Sequence, residues 1–515
     1  MAGGAEAGPG ALVLVGFMGA GKSSAARTVA AELGGRPLDS DRELEAELGE
    51  SIESFFDREG EVAFRAREED VVLRLLRRAD ARAVALGGGS LESERVRDAL
   101  GAHTVVHLEV DPDEAWRRAA GRGRPLARDR GRFDQLHGDR KAVYDTLAQA
   151  VLPPAGRDAV RHALPSLRAL HAARTAGHTG VQMVWASARS GDYPVFFGEG
   201  GIGAMPIHPT DGRTFVVTDS DVVAHHRVAA DHSIAVAAGE QSKTLGTAEH
   251  VLRDLAVAGA ERGDLLTAVG GGVVGDLTGL CAALYQRGMR HVQVPTTLVA
   301  QVDSAYGGKT GVDLPEGKNY AGVYHQPAAV VCDPAALKTL PAAELAAGYA
   351  EVVKTALIAG GSLWSRVRAG GPVDAGTVFG CLRVKLAIVA ADERDEGRRQ
   401  LLNLGHTVAH AIESATGYAR YRHGEAVAVG ILAALRLSGR ESLRAEVAEL
   451  FAEHGLPVTF DGASVADVVA LTDRDKKRSG GQTRFVLVES PGKVTTGHRI
   501  PEAALTEAVE EVHKP

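Results

Sequence analysis

The chain has 515 residues, 45% apolar and 24% charged, the balance of a soluble globular protein long enough for two to four domains. Its formal charge of −8 argues against a general nucleic-acid binder, and no uninterrupted apolar run reaches the length that spans a bilayer.

The opening MAGGAEAGPG lacks the basic segment of a secretion signal and runs straight into ALVLV. The expectation is a cytoplasmic protein with no membrane or nucleic-acid partner. ALVLV, RAVAL and TVVHLEV are short β-rich runs separated by amphipathic segments, the βαβ pattern of a parallel sheet covered on both faces. Residues 16–23, GFMGAGKS, match G-x-x-x-x-G-K-[ST] between ALVLV and a helical run. The loop Gly19, Ala20, Gly21, Lys22, Ser23, Ser24 wraps phosphate with backbone N–H groups. Lys22 adds a mobile charge, and the Ser23 hydroxyl is a magnesium ligand. Asp39 and Asp41, in LDSD, follow a short strand, where they serve magnesium and a substrate hydroxyl or cap a helix. Further on come Arg65 in GEVAFR, the turn LGGGS at Gly87–Gly89, and seven arginines in residues 116–132. Those arginines read as a solvated face, an RNA patch, or a lid over a transferring phosphate.

This ordered set, with R-P-L and R-K-x-V-Y, resembles shikimate kinase over residues 10–165. The resemblance implies a nucleoside-monophosphate-kinase-like P-loop domain that phosphorylates shikimate with ATP and Mg2+. It assigns Asp41, Arg65, Gly88 and Arg140 to shikimate, Arg124 to the lid, and Ser23 and Asp39 to magnesium. Lys22, Asp41 and Arg124 would carry the catalytic step.

Residues 166–182 read as a linker after a terminal helix, with PPAGRD, scattered histidines and TAGHTG. A second start follows in YPVFFGEG, TFVVTDS, SIAVAAG and LLTAVGGGVVGDL, strands feeding glycine-rich turns. GGGVVGD at 270–276 permits close approach of a dinucleotide pyrophosphate, or is a tight packing turn. VPTTLVAQVDSAYGGKTGVDLPEGKN gathers Asp303, Lys309, Lys318 and Asn319 into one polar stretch suited to a polyanion. From about residue 340 the pattern is almost wholly helical. Cys281, Cys332 and Cys381 are far apart and lack metal or redox spacing, which fits core residues in a reducing cytosol.

LLNLGHTVAHAIESATGYARYRHGE, residues 401–425, puts His406 and His410 on one helix face. His423 and Glu425 follow a glycine-containing break. H-E-x-x-H is absent, because Thr407 follows His406. Three histidines in eighteen positions point to a metal, without deciding which residues are ligands.

With AEVVKT at 350–355, these segments resemble 3-dehydroquinate synthase from residue 183 to the end. The resemblance implies a Rossmann-like α/β domain over 183–335 and an all-helical metal-binding domain over 336–515, forming a homodimer. Its metal ligands fall on Glu351, His406 and His423, for Zn2+ or Co2+, leaving His410 for proton transfer or substrate and Glu425 as a supporting group. The NAD+ site would take Asp219, Glu240, Lys243, Gly272, Val273, Val274, Gly275, Asp276, Thr296, Thr297, Lys309, Lys318 and Thr339. Arg287, Lys309, Asn319, Lys354 and Lys476 or Lys477 would meet the substrate phosphate. Lys385, Arg399 and Asn403 would meet its carboxylate and hydroxyls, and Asp303, Lys309, Lys354 and His410 would be catalytic. The implied reaction converts DAHP, a seven-carbon sugar acid phosphate, to 3-dehydroquinate and phosphate, with NAD+ regenerated in each turnover. One departure is Asp395, where the family reads glutamate; a contact from the shorter side chain is expected to be longer or water-mediated. The alternatives are another sugar phosphate cyclase or a metal-dependent polyol dehydrogenase in the second unit, or a nucleotide-sensing first unit.

Overall fold

The computed structural model describes residues 10–120, 125–154, 158–204, 212–476 and 484–514, in two units. One comprises Met1–Ser187 with Asp192–Pro206, the other Ala188–Gly191 with Ile207–Pro515. Arg124 and Lys477 lie outside the described residues, as does the side chain of Lys476.

In the first unit, strands β1 Leu12–Val15, β2 Pro37–Asp39, β3 Ala83–Ala85, β4 Thr104–Leu108, β5 Ala150–Leu152, β6 Gln182–Ala186 and β7 Tyr193–Phe197 run in the order β2-β3-β1-β4-β5-β6-β7. Every neighbouring pair is parallel except the β6–β7 hairpin. Every residue of β1 and of β4 is buried, so LVLV and TVVHL are continuous apolar runs with no alternation. The stretch expected to be a linker is structured. Helix Ala159–Thr175 packs Ala163, Leu164, Leu167 and Leu170 inward at helical spacing, and β6 then adds to the sheet beside β5. The boundary expected at residue 183 therefore falls inside the sheet of the first unit. Histidines and arginines between the leucines hid the stripe.

In the second unit, strands β8 Thr214–Asp219, β9 His232–Val236, β10 Leu265–Gly270 and β11 Arg290–Pro295 precede an antiparallel hairpin of β12 Lys309–Leu314 and β13 Gly317–Tyr324. Strand β14 Ala329–Cys332 completes a parallel sheet of order β14-β11-β10-β8-β9. The chain passes from β8 to β9 on one side, then crosses back over β8 to β10 on the other. That reversal opens a crevice at the strands' carboxyl ends, where open α/β sheets take ligands.

Helices follow from Ala342 onward, interrupted by one antiparallel ribbon, β15 Phe485–Ser490 with β16 Lys493–His498. Two close approaches set up the site. A Cβ at Gly430 would lie 2.1 Å from the Gly405 carbonyl oxygen, and one at Gly424 would run into the Ala347 carbonyl. Helix His423–Leu437 is thereby pressed against both Ala342–Ala359 and His406–Ala415. All three cysteines are fully buried and unpaired.

Candidate active sites

In the first unit the phosphate loop joins β1 to helix Lys22–Leu33. Gly19 and Gly21 hold φ of 85° and 90°, left-handed values that favour glycine. Lys22 Nζ donates to the loop carbonyls of Gly16 at 2.9 Å and Phe17 at 3.2 Å. Asp39 caps helix Ser40–Leu48 by accepting from the Arg42 N–H, so the capping role left open for Asp41 falls on its neighbour. Asp41 instead reaches the glycine turn, where a Cβ on Gly87 would lie 2.7 Å from its Oδ1.

Arg65 and Arg140 close on the same turn. A Cβ on Gly89 would lie 2.2 Å from Arg65 Nη1, and one on Gly88 3.4 Å from Arg140 Nη1. Arg65 donates to Glu68 at 2.6 Å and Glu61 at 3.2 Å, and Arg140 donates twice to Glu92, at 2.7 and 3.1 Å. Tyr144 donates to the Gly88 carbonyl. The four residues assigned to an acid substrate are therefore gathered, and Glu68, Glu92 and Tyr144 join them unannounced. The spacing Arg65–Glu68, one turn apart on a helix, was the available signal for the first.

In the second unit the crevice carries the dinucleotide candidates. Asp219 ends β8 and accepts from the N–H groups of Asp221 and Val222, both at 2.9 Å. The glycine turn ends β10 and opens helix Gly272–Leu284. It is tightly packed as well: a Cβ on Gly271 would lie 2.9 Å from Thr297 Cγ2, and one on Gly275 2.7 Å from Gln293 Oε1. Val274 turns into the core of this unit. Lys243 donates to Asp276 and to Asn319 Oδ1, and the Thr296 hydroxyl is buried without a partner among the described residues. Thr339 takes the His226 ring at 2.8 Å. Lys318 donates to Glu413 at 2.9 Å and lies 3.5 Å from Glu240.

The histidines converge on Glu351, itself 1% exposed. His406 Nε2 lies 3.4 Å and His423 Nε2 3.6 Å from Glu351 Oε1. Each ring's other nitrogen is engaged elsewhere, His406 Nδ1 with the Leu404 carbonyl and His423 Nδ1 with Glu413 at 3.4 Å. Two imidazoles and a carboxylate, with their outward nitrogens held by acceptors, fit a divalent transition metal. A second group, His410, Glu413 and His423, also lies within ligand reach. It is the more open set, because His410 is exposed to solvent whereas Glu351 is 1% exposed. Burial raises the Glu413 carboxyl, but the His423 ring and Lys318 overcome it and draw it down to about 2. The exposed His410 ring sits 5.4 Å from His406 and 5.9 Å from His423. Glu425 accepts from the Arg422 N–H and side chain in a capping box and is structural. Sequence reasoning passed over Glu413, although His406, His410 and Glu413 repeat at i, i+4, i+7.

Beside this lies a cationic cluster. Asp303, on the π-helical turn Ala300–Ser304, accepts from Lys385 and from Lys354, the latter at 3.2 Å. Lys354 also pairs with Glu351. Burial opposes the charge on Asp303, but Lys354 and Lys385 hold it far below the carboxylate range. Burial lowers Lys385, with Lys354 and Arg399 adding repulsion against the pull of Asp303. Arg399 is 2% exposed and spends its Nη atoms on the Gly307 and Glu393 carbonyls, leaving Nε buried without a partner among the described residues. Asp395, at φ 65°, pairs directly with Lys309. Arg287 and Asn403 are exposed and, among the described residues, make no side-chain hydrogen bond to the cluster.

Comparison with known proteins bears on both units. Residues 233–347 match the 3-dehydroquinate synthase N-terminal family model, and 348–478 match its C-terminal counterpart. The 3-dehydroquinate synthase of Halorhodospira halophila is 42% identical over 353 residues, covering 64% of this chain and 99% of that protein. The chain belongs to the 3-dehydroquinate synthase family. Residues 18–167 match the shikimate kinase family model, so a kinase unit precedes the synthase unit. The chain is thus a bifunctional shikimate-pathway enzyme, a phosphotransferase joined to a lyase. Two solved structures share the synthase fold. A 2-deoxy-scyllo-inosose synthase with carbaglucose-6-phosphate, NAD+ and Co2+ is 23% identical, with TM-score 0.57, covering 64% of this chain and 100% of its own. A 2-epi-5-epi-valiolone synthase from Streptomyces hygroscopicus with NAD+ and Zn2+ is 24% identical, with TM-score 0.58, covering 64% and 98%. Among the described residues no helix is long and apolar enough to cross a membrane.

Proposed function

We propose that the first unit transfers phosphate from ATP·Mg2+ to shikimate and that the second converts DAHP to 3-dehydroquinate with NAD+ and Zn2+ or Co2+, in a cytoplasmic homodimer built through the synthase unit. In the kinase, the loop amides of Gly19–Ser24 and the Lys22 ammonium hold phosphates, with Ser23 and Asp39 serving magnesium. Arg65 and Arg140 hold the shikimate carboxylate, while Asp41 at the glycine turn takes the proton of the attacking hydroxyl.

In the synthase, Glu351, His406 and His423 hold the metal, and Asp219, Glu240, Lys243, the turn Gly272–Asp276, Thr296, Thr297, Lys318 and Thr339 hold the dinucleotide. When bound, the metal supplies a Lewis acid for a hydroxyl, and NAD+ a reversible hydride acceptor. Glu413 fixes the His423 ring so that Nε2 faces Glu351. Asp303 stays ionised and fixes Lys354 and Lys385 as a cationic wall for an anionic substrate. Lys309, Asn319 and Arg287 extend that wall toward the phosphate, and Arg399 and Asn403 toward the carboxylate. The exposed His410 moves a proton at the substrate.

The convergence of both Nε2 atoms on Glu351, beside the Asp303–Lys354–Lys385 cluster, carries the synthase reading. Metal stoichiometry of purified variants tests it. His406→Ala and His423→Ala lose the metal, whereas His410→Ala keeps it and loses turnover. Metal lost from His410→Ala and His423→Ala but kept by His406→Ala would transfer the site to the His410, Glu413, His423 group.

A further inference from the structure

The acid-binding arginines of the kinase unit already face a carboxylate. Arg140 donates from Nε and Nη2 to Glu92 Oε1, at 3.1 and 2.7 Å, and Arg65 Nε lies 3.6 Å from Glu92 Oε2. One oxygen thus faces each guanidinium, the arrangement an arginine pair offers any carboxylate. The partners differ in mobility. The Arg140 side chain is 7% exposed and the Glu92 side chain 48%. The Glu92 backbone is pinned, its N–H donating to the Gly89 carbonyl and its carbonyl accepting from Arg97. Its side chain alone can swing out to solvent.

The two arginines also differ in what they would lose. Arg65 keeps Glu68 and Glu61 if Glu92 leaves. Arg140 has Glu92 as its one carboxylate partner among the described residues, so departure of Glu92 strands a buried cation. Departure is favourable only when another carboxylate enters.

We propose that Glu92 is an internal occupant of the acid-binding fork, exchanged for the carboxylate of the incoming substrate, and so a specificity-determining residue of the kinase. This rests on the reading of Arg65 and Arg140 as the shikimate fork. Self-occupancy lowers apparent affinity by the fraction of time the fork is filled, and excludes ligands that cannot replace the charge on Arg140.

The test is calorimetric titration of the full-length chain with shikimate, free of turnover. Glu92→Gln keeps the size and removes the charge, and should bind shikimate about ten-fold tighter, as expected for a fork about nine-tenths self-occupied. Arg140→Met is the parallel arm and should weaken binding. Tighter binding by Glu92→Gln with weaker binding by Arg140→Met supports the exchange. Unchanged or weaker binding by Glu92→Gln beside a weakened Arg140→Met overturns the exchange and leaves the fork intact. Unchanged binding by Arg140→Met overturns the fork reading itself. Glu92→Ala, on an exposed turn, repeats the comparison should the glutamine variant fold poorly.

Discussion

Glu413→Gln isolates the support of a single metal ligand. Both Glu413 oxygens lie 3.4 Å from His423 Nδ1, and the residue is 1% exposed, so no solvent stands in for the lost charge. Gln keeps the shape and one acceptor, and it leaves Lys318 a second partner in Glu240 at 3.5 Å. The change therefore falls on the orientation and basicity of His423. Loss of such a supporting carboxylate costs about 10- to 100-fold in metal affinity. That is about 1.4–2.8 kcal/mol at roughly 1.4 kcal/mol per decade. The assay is competition for zinc against a chromophoric chelator, with Glu425→Gln as the control, since among the described residues Glu425 serves only the Arg422 cap. Equal zinc affinity in Glu413→Gln and the native protein, or a larger loss in Glu425→Gln, would refute the reasoning.

Lys22→Met should lower shikimate phosphorylation by a factor on the order of 10² or more and leave DAHP turnover unchanged; loss of both in a folded protein would contradict independent units. Arg399→Met should lower kcat/KM for DAHP roughly thirty-fold or more, from about 2–5 kcal/mol of lost charge contact. It should also lower the melting temperature, because the Gly307 and Glu393 carbonyls lose their donor; native kinetics in a metal-replete variant would remove Arg399 from the substrate site. His291 is 1% exposed, both ring nitrogens have no hydrogen-bond partner among the described residues, and burial, aided by His325, depresses it to about 3. The unfolded chain therefore takes up a proton that the folded chain refuses as pH falls below about 6.5, so this residue's stability is present above that pH and fades toward pH 3. Relative to the native protein, His291→Phe should gain about 2 kcal/mol between pH 6.5 and pH 5 in calorimetric unfolding, and a pH-independent difference would show that His291 titrates normally.

The features legible in the sequence were those whose cause is local. Strands β1 and β4 announced themselves because a parallel strand buried on both faces must be apolar throughout. The phosphate loop was legible because backbone amides and left-handed glycines dictate residue type at fixed spacing. Helix Ala159–Thr175 was missed because its leucine stripe is interleaved with exposed charge. Glu92 and Glu413 were missed for another reason. Each matters through partners distant in the chain, Arg140 48 residues from Glu92 and Lys318 95 residues from Glu413, and a glutamate carries no mark of what it will face. Asp39 and Asp41 sit two apart in one short motif, yet only the folded turn shows which caps the helix and which reaches Gly87.

The burial of all three cysteines makes the native chain nearly silent toward alkylating reagents. Burial pushes the thiols of Cys281 and Cys332 up to about 12 and raises Cys381 as well, so at neutral pH hardly any thiolate exists, and none is presented to solvent. A cysteine introduced on an exposed position, such as Val62 in the kinase unit or Val257 in the synthase unit, would be the one fast-reacting thiol in the protein. One label on each would turn the native chain, with no cysteine removed, into a spectroscopic ruler for the distance between its two units during turnover.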